Sequence, residues 1–335
     1  MAVSSGEGLE KLEDMIVRAA ESTAVHIRAA KTAIGSVIFG QERVVEHALV
    51  TVLSGGHALL VGVPGLAKTK LVDTMGVVLG LDARRIQFTP DLMPSDILGS
   101  EVLEESPGGK RNFRFISGPI FAQLLMADEI NRASPRTQSA LLQAMQEQHV
   151  TVAGARHDLP RPFHVLATQN PLEQEGTYPL PEAQLDRFLM EVDVDYPDRD
   201  AERRILFDTT GAEESRPKPA MTVDELIAAQ RLVRRLPVGE SVVEAILNLV
   251  RSARPGSESE AAKLIAWGPG PRASQALMLA VRARALIDGR FAPSIDDVLD
   301  LAAPVLKHRM ALTFAARADG ETVEAVIGRV KAHIG

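Results

Sequence analysis

Two stretches of the sequence carry residue types that suit phosphate chemistry. The first reads Gly-Val-Pro-Gly-Leu-Ala-Lys-Thr from Gly62 to Thr69, between a short apolar run and a helical pattern. A glycine-rich loop in this context presents backbone N–H groups at a helix N-terminus, where they bind phosphate oxygens. Lys68 is expected to reach the β- and γ-phosphates of a nucleotide, and the Thr69 hydroxyl to ligate Mg²⁺.

One position of this loop departs from the usual phosphate-loop pattern. The glycine that normally precedes the lysine is replaced by Ala67. Because alanine is strained at positive φ, the pattern predicts a negative, helix-like φ at this residue. A Gly/Pro-rich turn before an ordinary helix is the alternative interpretation. The candidate nucleotide-binding residues of the loop are Gly62, Val63, Pro64, Gly65, Leu66, Ala67, Lys68, Thr69 and Lys70.

The second stretch, from Leu124 to Glu129, is an apolar run that ends in two adjacent acids. Asp128 is expected to hold hydrated Mg²⁺ together with Thr69, and Glu129 to orient and polarise an attacking water. A buried strand that meets solvent at an acidic end is the alternative. The two stretches belong to one mechanism and occur in the right order, so together they predict ATP hydrolysis with Mg²⁺.

Asn170 follows another apolar run, within Ala167-Thr168-Gln169-Asn170-Pro171. At the end of a strand its amide could hold the lytic water or the γ-phosphate. The alternative is an Asn-Pro turn that starts an ordinary loop, and the residues alone favour this alternative.

Two arginines are candidates for contact with a γ-phosphate. Arg187 stands near the end of a predicted helix over Pro181–Phe188 and could reach a nucleotide bound by a neighbouring subunit. Such an arginine finger is worth about 10³–10⁵ in rate. A surface pair with Asp186, worth under about 1 kcal/mol, is the alternative that the residues alone favour. Arg272 follows Pro271 at a helix start and could touch nucleotide from a second domain; a solvated arginine after a Pro/Gly loop is the alternative.

Apolar runs and helical patterns alternate along the chain up to about residue 196. Two helices are predicted first, over 9–34 and 41–53. Strands and helices then follow each other, which argues for a parallel sheet covered on both faces. The predicted strands are Ala58–Val61, Arg85–Phe88, Leu124–Ala127, His149–Val152, Phe163–Ala167 and Met190–Val194, and the helices between them are Lys68–Leu79 and 135–147.

After Tyr196-Pro197 only helical patterns occur, and no strand is predicted there. Thr222 and Ser294 are candidate N-caps, each followed by acids in the first turn. The fold class is therefore predicted as α/β, with a P-loop NTPase three-layer αβα core in 1–198 and an all-helical domain in 199–335. The predicted helices of the second part are 199–207, 222–236, 240–252, 272–287 and 294–309.

The composition narrows the class of protein. The 335 residues are 45% apolar, and no run approaches the roughly 18 consecutive apolar residues that a membrane helix needs. The acidic start from Met1 to Asp14 has no secretory pattern, and the absence of cysteine excludes disulfides, thiolate zinc sites and cysteine nucleophiles. These features favour a cytoplasmic protein. A net charge of −7 with scattered Lys and Arg argues against nucleic acid as a partner.

The order of these motifs resembles the AAA+ ATPases, and specifically the MoxR family. The resemblance covers roughly residues 36–310. Ala67 matches the family's own loop, whereas Gly270 stands where the family often has Ser or Ala. The segments that carry the resemblance are Phe39–Gln41, Gly62–Thr69, Gln87–Asp96, Gly118–Ala122, Ala127–Arg132, Ala167–Pro171, Glu173–Phe188 and Pro271–Ala273.

The resemblance implies roles for individual residues. Gln41 belongs to the segment that brackets the adenine, and Asn170 looks like the first sensor residue. Arg187 looks like an arginine finger that acts in trans, and Arg272 like the second sensor. Residues 90–123 look like an insert of this clade and residues 148–163 like a hairpin, both facing the ring pore or the substrate in such proteins.

The resemblance also implies an assembly and partners. The family commonly forms hexamers and acts as a chaperone-like motor, often with a partner that carries a von Willebrand A domain. Remodelling or maturation of a protein partner, driven by ATP hydrolysis, is therefore the leading hypothesis. The alternatives are a ring motor that acts on nucleic acid and a nucleotide-gated scaffold with little turnover.

Overall fold

The secondary structure of residues 21–105, 111–173, 175–211, 216–332 and 334 is described by a computed structural model. The helices are α1 (21–35), α2 (Glu42–Leu53), α3 (Lys68–Val78), α4 (Pro94–Leu98), α5 (Pro135–Glu147), α6 (Glu182–Leu185), α7 (Arg199–Thr210), α8 (Val223–Val233), α9 (Glu240–Ser252), α10 (Pro271–Ile287), α11 (Ile295–Leu306), α12 (Phe314–Ala318) and α13 (Val323–Lys331). The strands are β1 (Ala58–Val61), β2 (Ala83–Gln87), β3 (Gly99–Glu105), β4 (Arg111–Ser117), β5 (Leu124–Asp128), β6 (His149–Val152), β7 (Ala155–Asp158), β8 (His164–Gln169), β9 (Met190–Asp193), β10 (Ile265–Trp267) and β11 (Ala311–Leu312).

A five-stranded parallel sheet forms the centre of the first half of the chain. Its spatial order is β2-β5-β8-β1-β9, and all neighbouring pairs run parallel. Strands that share one direction end at the same edge of the sheet, so the segments that follow β1, β5 and β8 meet there. The three sequence motifs that could bind or hydrolyse a nucleotide follow these three strands.

Side chains of the central strand β5 alternate between two hydrophobic clusters, one on each face of the sheet. Leu124 and Met126 of β5 join one hydrophobic cluster with α2 and α3, whereas Leu125 and Ala127 join another with α5. Successive side chains of a strand point to opposite faces, so helices cover both faces of the sheet. The predicted αβα core is confirmed.

Most predicted elements appear where the patterns placed them. Strand β1 and helix α5 have the predicted bounds, and α2 begins one residue later than predicted. Residues 9–20 of the predicted first helix lie outside the described residues, and 21–35 are helical. The predicted helix over Pro181–Phe188 is reduced to the single turn of α6.

Two antiparallel hairpins extend from the core. The β3–β4 hairpin follows α4 within the predicted insert, and the β6–β7 hairpin precedes β8. The rings of Phe115 and His157 stack with centroids 3.8 Å apart, so the two hairpins contact each other. In the first hairpin, the paired residues Leu103 and Phe113 are exposed.

The second half of the chain is mainly helical. Thr222 and Ser294 form the predicted N-caps of α8 and α11, each with a complete capping box. The prediction that this part has no strand is wrong, because β10 and β11 pair as a short antiparallel ribbon. Strands of two and three residues are too short to show an alternating pattern in sequence.

The hydrophobic core is continuous across residue 198. One cluster contains Val45 and Leu49 of α2 together with Leu226 of α8, Leu249 of α9 and Leu277 of α10. The helices after the sheet therefore pack directly on the N-terminal helices. Among the described residues, no helix is long and apolar enough to cross a membrane.

Candidate nucleotide site

The phosphate loop connects β1 to α3 at the carboxyl edge of the sheet. A Cβ on Gly62 would lie 2.5 Å from the carbonyl oxygen of Val194, so this position requires glycine for close packing against the segment after β9. Gly65 has φ +85° with open space around it, which indicates a conformational rather than a packing requirement.

The backbone of Ala67 corrects the sequence analysis. Its φ and ψ are 56° and 20°, in the left-handed region, where a negative φ was predicted. Ala67 is the residue that precedes α3. Its backbone has the left-handed conformation that the glycine usually found at this position would adopt. For an alanine this conformation costs roughly 1–2 kcal/mol. Strain of this kind persists where the surrounding structure fixes the backbone, as it does at many ligand-binding loops.

The first turn of α3 has amide groups available for an anion. No side chain caps this helix, and its first turn contains no acidic residue. The first N–H groups of a helix lack partners within the helix, and the helix dipole makes this end positive. The amides at Lys68 and Thr69 are therefore placed where an anion could bind, and phosphate binding there stays a prediction.

Lys68 lies in the same loop, half-buried. Its ammonium group donates to the carbonyl oxygens of Gly62 and Val63, the latter at 3.2 Å. Burial lowers the pKa of Lys68, while the carboxylates of Asp128 and Glu129 act to raise it. These carbonyl bonds hold the ammonium group beside the loop, where an anionic phosphate would compete for it.

Asp128 ends β5 and lies buried at the carboxyl edge of the sheet. Thr168 of the adjacent strand β8 donates from Oγ1 to Asp128 Oδ1 at 2.5 Å. Arg85 of β2, on the other side, lies against Asp128 Oδ2, with Nη2 at 2.5 Å and Nε at 3.2 Å. The carboxylate is thus fixed from both neighbouring strands.

Glu129, the second acid, has a strained backbone. Its φ is 54° and its ψ 50°, a left-handed conformation that is uncommon for a non-glycine residue. Its N–H donates to Thr168 Oγ1 at 2.8 Å, and its carboxylate accepts bonds from Gln87 at 2.6 Å and Arg132 at 3.0 Å. The Thr168 hydroxyl therefore orients both acids at once.

Asn170 follows β8 and is buried at the same edge. Its Oδ1 accepts a bond from the N–H of Leu172 at 3.1 Å, an Asx turn, which agrees with the alternative interpretation of an Asn-Pro turn at the start of a loop. The residue also lines the cavity described below. The turn therefore does not conflict with a role for Asn170 in the cavity, and that role stays a prediction.

One cavity of about 440 Å³ collects most of the predicted residues. This volume falls within the range of about 300–1,000 Å³ that is usual for small-molecule sites. Arg85, Gln87 and Thr168 line it as well, and the sequence analysis missed all three. Their signal was weak, since Arg85 and Gln87 lie on a half-exposed strand and Thr168 was part of the Asn170 motif. The predicted residues that line it are Pro64, Gly65, Ala67, Lys68, Thr69, Lys70, Asp128, Glu129 and Asn170.

Three loop residues contribute without lining this cavity. Gly62 and Val63 supply the carbonyl groups that bind Lys68, and Leu66 packs against the hydrophobic core. Gln41 lines a different cavity, of about 260 Å³, and donates to the carbonyl oxygen of Asp195 at 2.7 Å. This second cavity lies beside the edge strand β9.

Arg187 and Arg272 lie together, away from the phosphate loop. They line one cavity with Gly56 and His57, the residues that precede β1, whereas the phosphate loop follows β1. The four residues of β1 span about 13 Å at roughly 3.3 Å each. Arg272 lies 3.5 Å from the carboxylate of Asp186, and its contact with a nucleotide stays a prediction.

The oxygen groups in the phosphate cavity fit Mg²⁺. Thr69 offers a hydroxyl and Asp128 a buried carboxylate. Among the described residues, no group of three or more His, Cys, Asp or Glu could hold a metal ion by itself. Mg²⁺ is usually held by one or two protein oxygens together with water and substrate phosphates, which agrees with this donor set.

Comparisons with known proteins agree with this arrangement. A family model described as "ATPase family associated with various cellular activities (AAA)" matches residues 57–190, and one described as "AAA lid domain" matches residues 257–330. A crystal structure of a putative ATPase from Cytophaga hutchinsonii superposes with a TM-score of 0.87 at 35% identity, covering 97% of this chain and 98% of that one.

Curated relatives cover almost the whole chain. Chaperone MoxR1 of Mycobacterium tuberculosis is 41% identical over 317 residues, which are 93% of this chain and 83% of the relative. YeaC of Bacillus subtilis is 40% identical over 89% of this chain and 90% of its own length. Protein MoxR of Paracoccus denitrificans is 33% identical over 85% of this chain and 88% of its own length. The chain belongs to the MoxR family of AAA+ ATPases.

Proposed function

We propose that this protein hydrolyses ATP to ADP and phosphate and couples the reaction to remodelling of a protein partner. The observation that carries the proposal is that the phosphate loop and the two acids, Asp128 and Glu129, line one cavity. Amides that bind phosphate therefore face carboxylates that can hold a metal ion and activate water. In this arrangement Lys68 binds the β- and γ-phosphates after leaving its loop carbonyl groups.

The chain's own residues supply the chemistry around the γ-phosphate. Glu129 accepts a hydrogen bond from the attacking water and polarises it, and Asn170 holds that water or the γ-phosphate oxygen. Thr69 and Asp128 would hold Mg²⁺, which neutralises developing phosphate charge when bound. The adenine ring of ATP binds in the cavity beside β9, next to Gln41. In-line displacement by water needs no covalent intermediate.

A second copy of the chain completes the site. Arg187 lines a cavity at the opposite end of β1 from the phosphate loop, so its own nucleotide is out of reach. Among the described residues, none makes a hydrogen bond or ion pair with the Arg187 side chain, and its guanidinium is available for a neighbouring subunit's γ-phosphate. Arg272 lies beside it. This separation supports a homo-oligomeric ring, with the hexamer of the family as the expected size.

The remodelling role has separate support. One close relative carries the name Chaperone MoxR1. The β3–β4 hairpin exposes the paired residues Leu103 and Phe113, apolar groups that suit contact with a protein chain. Its charged residues pair with each other, Arg111 with Glu105 and Arg114 with Glu104, so the hairpin has no excess of basic charge for nucleic acid. A partner with a von Willebrand A domain fits the same proposal.

The test of hydrolysis uses Glu129→Gln, with Glu244→Gln on the exposed face of α9 as its control. Glu129→Gln should retain bound ATP but release phosphate at least about 100 times more slowly, since the water loses its base. Glu244→Gln should match the natural protein. Unchanged phosphate release in Glu129→Gln would contradict the proposal, and weak turnover in the natural protein would favour a nucleotide-gated scaffold.

The test of assembly mixes two inactive variants. Glu129→Gln lacks the carboxylate that polarises the attacking water but retains Arg187. Arg187→Ala retains the residues of its own site but cannot supply an arginine to the neighbouring subunit. A mixture should hydrolyse ATP faster than either variant alone, because some interfaces then join an intact site to an intact arginine. A mixture as inactive as its components would contradict action in trans. In a separate binding assay, binding of single-stranded DNA by the protein that weakens as salt rises would instead favour the nucleic-acid alternative.

A further inference from the structure

Three consecutive basic residues in the helical part of the chain are buried against the core. Lys307, His308 and Arg309 form a single-turn helix after α11, and their exposed fractions are 8%, 5% and 2%. We call this segment the basic turn. Buried charges are rare unless they are paired, so such a cluster needs partners that justify its position.

Apart from one carbonyl oxygen of α11, the side-chain partners of the basic turn lie between residues 186 and 193. Lys307 pairs with Asp193 and with Glu191 Oε1, the latter at 3.2 Å. A ring nitrogen of His308 lies 3.1 Å from the carbonyl oxygen of Phe188. Arg309 makes the densest set of contacts, all of them to residues that flank Arg187 or to its own helix.

The Arg309 guanidinium binds both sides of Arg187. Its Nε donates to Asp186 Oδ1 at 2.8 Å, and Nη2 donates to the carbonyl oxygens of Asp186 at 3.3 Å and Phe188 at 2.6 Å. Nη1 donates to the carbonyl oxygen of Leu189 at 3.1 Å and to that of Val305. Since a planar guanidinium holds its donors in a fixed geometry, these bonds fix the backbone before and after Arg187.

Arg187 itself is bound differently. The backbone on either side is fixed by Arg309, while the side chain, half-buried in the cavity, has no hydrogen bond or ion pair to the described residues. A side chain that must contact a ligand on another molecule needs a fixed backbone and a guanidinium that is free of other partners. Arg187 has both.

We propose that Arg309 is a positioning residue for Arg187. Through Arg309, the helical part of one subunit fixes the position of the arginine that acts on the neighbour's nucleotide. The inference rests on the proposed action of Arg187 in trans. Removal of Arg309 should leave the subunit's own nucleotide site intact and impair the site of its neighbour. A misplacement of about 1 Å can cost about 100-fold in rate.

The experiment uses Arg309→Met and compares it with Arg290→Met. Arg290 is also an arginine of the helical part, paired with Asp297 at 2.7 Å, but it lies away from the segment around Arg187. Both changes remove a paired guanidinium, so both should lower the melting temperature. Only Arg309→Met should lower kcat, by about 10- to 100-fold, while affinity for a fluorescent ATP analogue changes by less than about twofold.

Subunit mixing separates a positioning role from a structural one. Arg309→Met mixed with Glu129→Gln should regain turnover, about a quarter of the natural rate if subunits mix at random and sites act independently, because Glu129→Gln supplies an intact arginine. Arg309→Met mixed with Arg187→Ala should stay inactive, since neither component supplies one.

The reverse pattern would overturn the inference. If Arg309→Met damages its own site instead, the mixture with Glu129→Gln stays inactive and the mixture with Arg187→Ala regains turnover. Equal loss of turnover in Arg290→Met would also overturn it. The mixture of Arg187→Ala and Glu129→Gln is measured in parallel. If it does not regain turnover, the proposed action of Arg187 in trans is contradicted instead.

A second variant covers the case in which Arg309→Met does not fold. Asp186→Asn keeps the side-chain shape and Arg309, but weakens the charged bond to Arg309 Nε at 2.8 Å. It should show the same mixing pattern with a smaller loss of kcat, about 3- to 10-fold, as expected for a charge-assisted bond made neutral. Full activity of Asp186→Asn together with a folded, fully active Arg309→Lys would contradict the role of the guanidinium.

Discussion

The guanidinium of Arg85 forms an ion pair with Asp128, with Nη2 2.5 Å from Oδ2. Asp128 is the carboxylate proposed to hold Mg²⁺, so a side-chain cation stands beside the group that a metal ion would bind. Arg85 is 48% exposed, whereas the side chain of Asp128 is only 12% exposed. The arginine can therefore move into solvent when the carboxylate takes another partner.

Replacement of Arg85 by Gln is expected to strengthen Mg²⁺ binding. A half-exposed pair contributes under about 1 kcal/mol, so the Mg²⁺ concentration at half-maximal binding of an ATP analogue should fall by about two- to fivefold. Mg²⁺ titration of a fluorescent ATP analogue measures this. Arg84→Gln is the matched control, because Arg84 pairs with Asp82 instead, and it should leave the titration unchanged. A higher Mg²⁺ requirement in Arg85→Gln would show that the arginine assists binding.

The hydroxyl of Thr168 should be needed for turnover more than for nucleotide affinity. It donates to Asp128 and accepts from the N–H of Glu129, so Thr168→Val removes the group that orients both acids. We expect kcat to fall by about 10- to 100-fold, as for a small displacement of catalytic groups, with little change in ATP affinity. Thr168→Ser keeps the hydroxyl and should retain most activity. Equal losses in both variants would point to packing of the methyl group instead.

The parts of the site that the sequence predicted are those whose residues lie close together along the chain. The loop before α3, the acids after β5 and Asn170 each follow a strong apolar run, and the parallel sheet brings the three ends together. Arg85 was missed because its only signal is a position on a half-exposed strand, and its pairing with Asp128 joins residues 43 positions apart.

Two further outcomes show where local patterns are insufficient. In sequence, Lys307 to Arg309 resemble the basic last turn of a helix, which solvent and the helix dipole would explain. Their burial depends on residues more than 100 positions earlier. The contact of Arg272 with Asp186 likewise joins residues 86 positions apart. Domain packing decides such contacts, and no short pattern encodes it.

Buried histidines predict loss of stability in mild acid. Burial lowers the pKa of His57 to about 3 and that of His47 and His164 to about 4, and the pKa of His308 lies well below 6.5. His57 accepts a hydrogen bond from the N–H of Val165. A proton on that nitrogen would remove the acceptor, so the folded chain excludes it.

The sign follows from the two pKa values of each histidine. Between about 4 and 6.5 the unfolded chain binds the proton and the folded chain does not, so stability falls as pH falls through this range. From pH 7.5 to 5.5 each histidine should lower the free energy of unfolding by about 1.4 kcal/mol. Glu191, whose pKa is raised by burial, acts in the opposite direction.

Urea unfolding at the two pH values measures this dependence. His164→Gln should reduce the difference by about 1.4 kcal/mol, because one proton fewer is taken up on unfolding. His164 begins β8, and one of its ring nitrogens lies 2.9 Å from the carbonyl oxygen of Gly56. Glutamine cannot take up a proton there, so the variant shows whether the neutral His164 ring contributes to the pH dependence. A pH-independent free energy of unfolding would contradict the prediction.

The left-handed backbone of Ala67 predicts that glycine would stabilise the protein at this position. Glycine adopts φ 56° without the steric cost that alanine has there, so Ala67→Gly should raise the free energy of unfolding by about 1 kcal/mol. Ala29, exposed within α1, is the control of opposite sign, since Ala29→Gly in a helix should lower it by about 1 kcal/mol. Urea unfolding without nucleotide compares the two. If Ala67→Gly destabilised the protein as Ala29→Gly does, residue 67 would have the helix-like φ that the sequence indicated, and the strain at the phosphate loop would be absent.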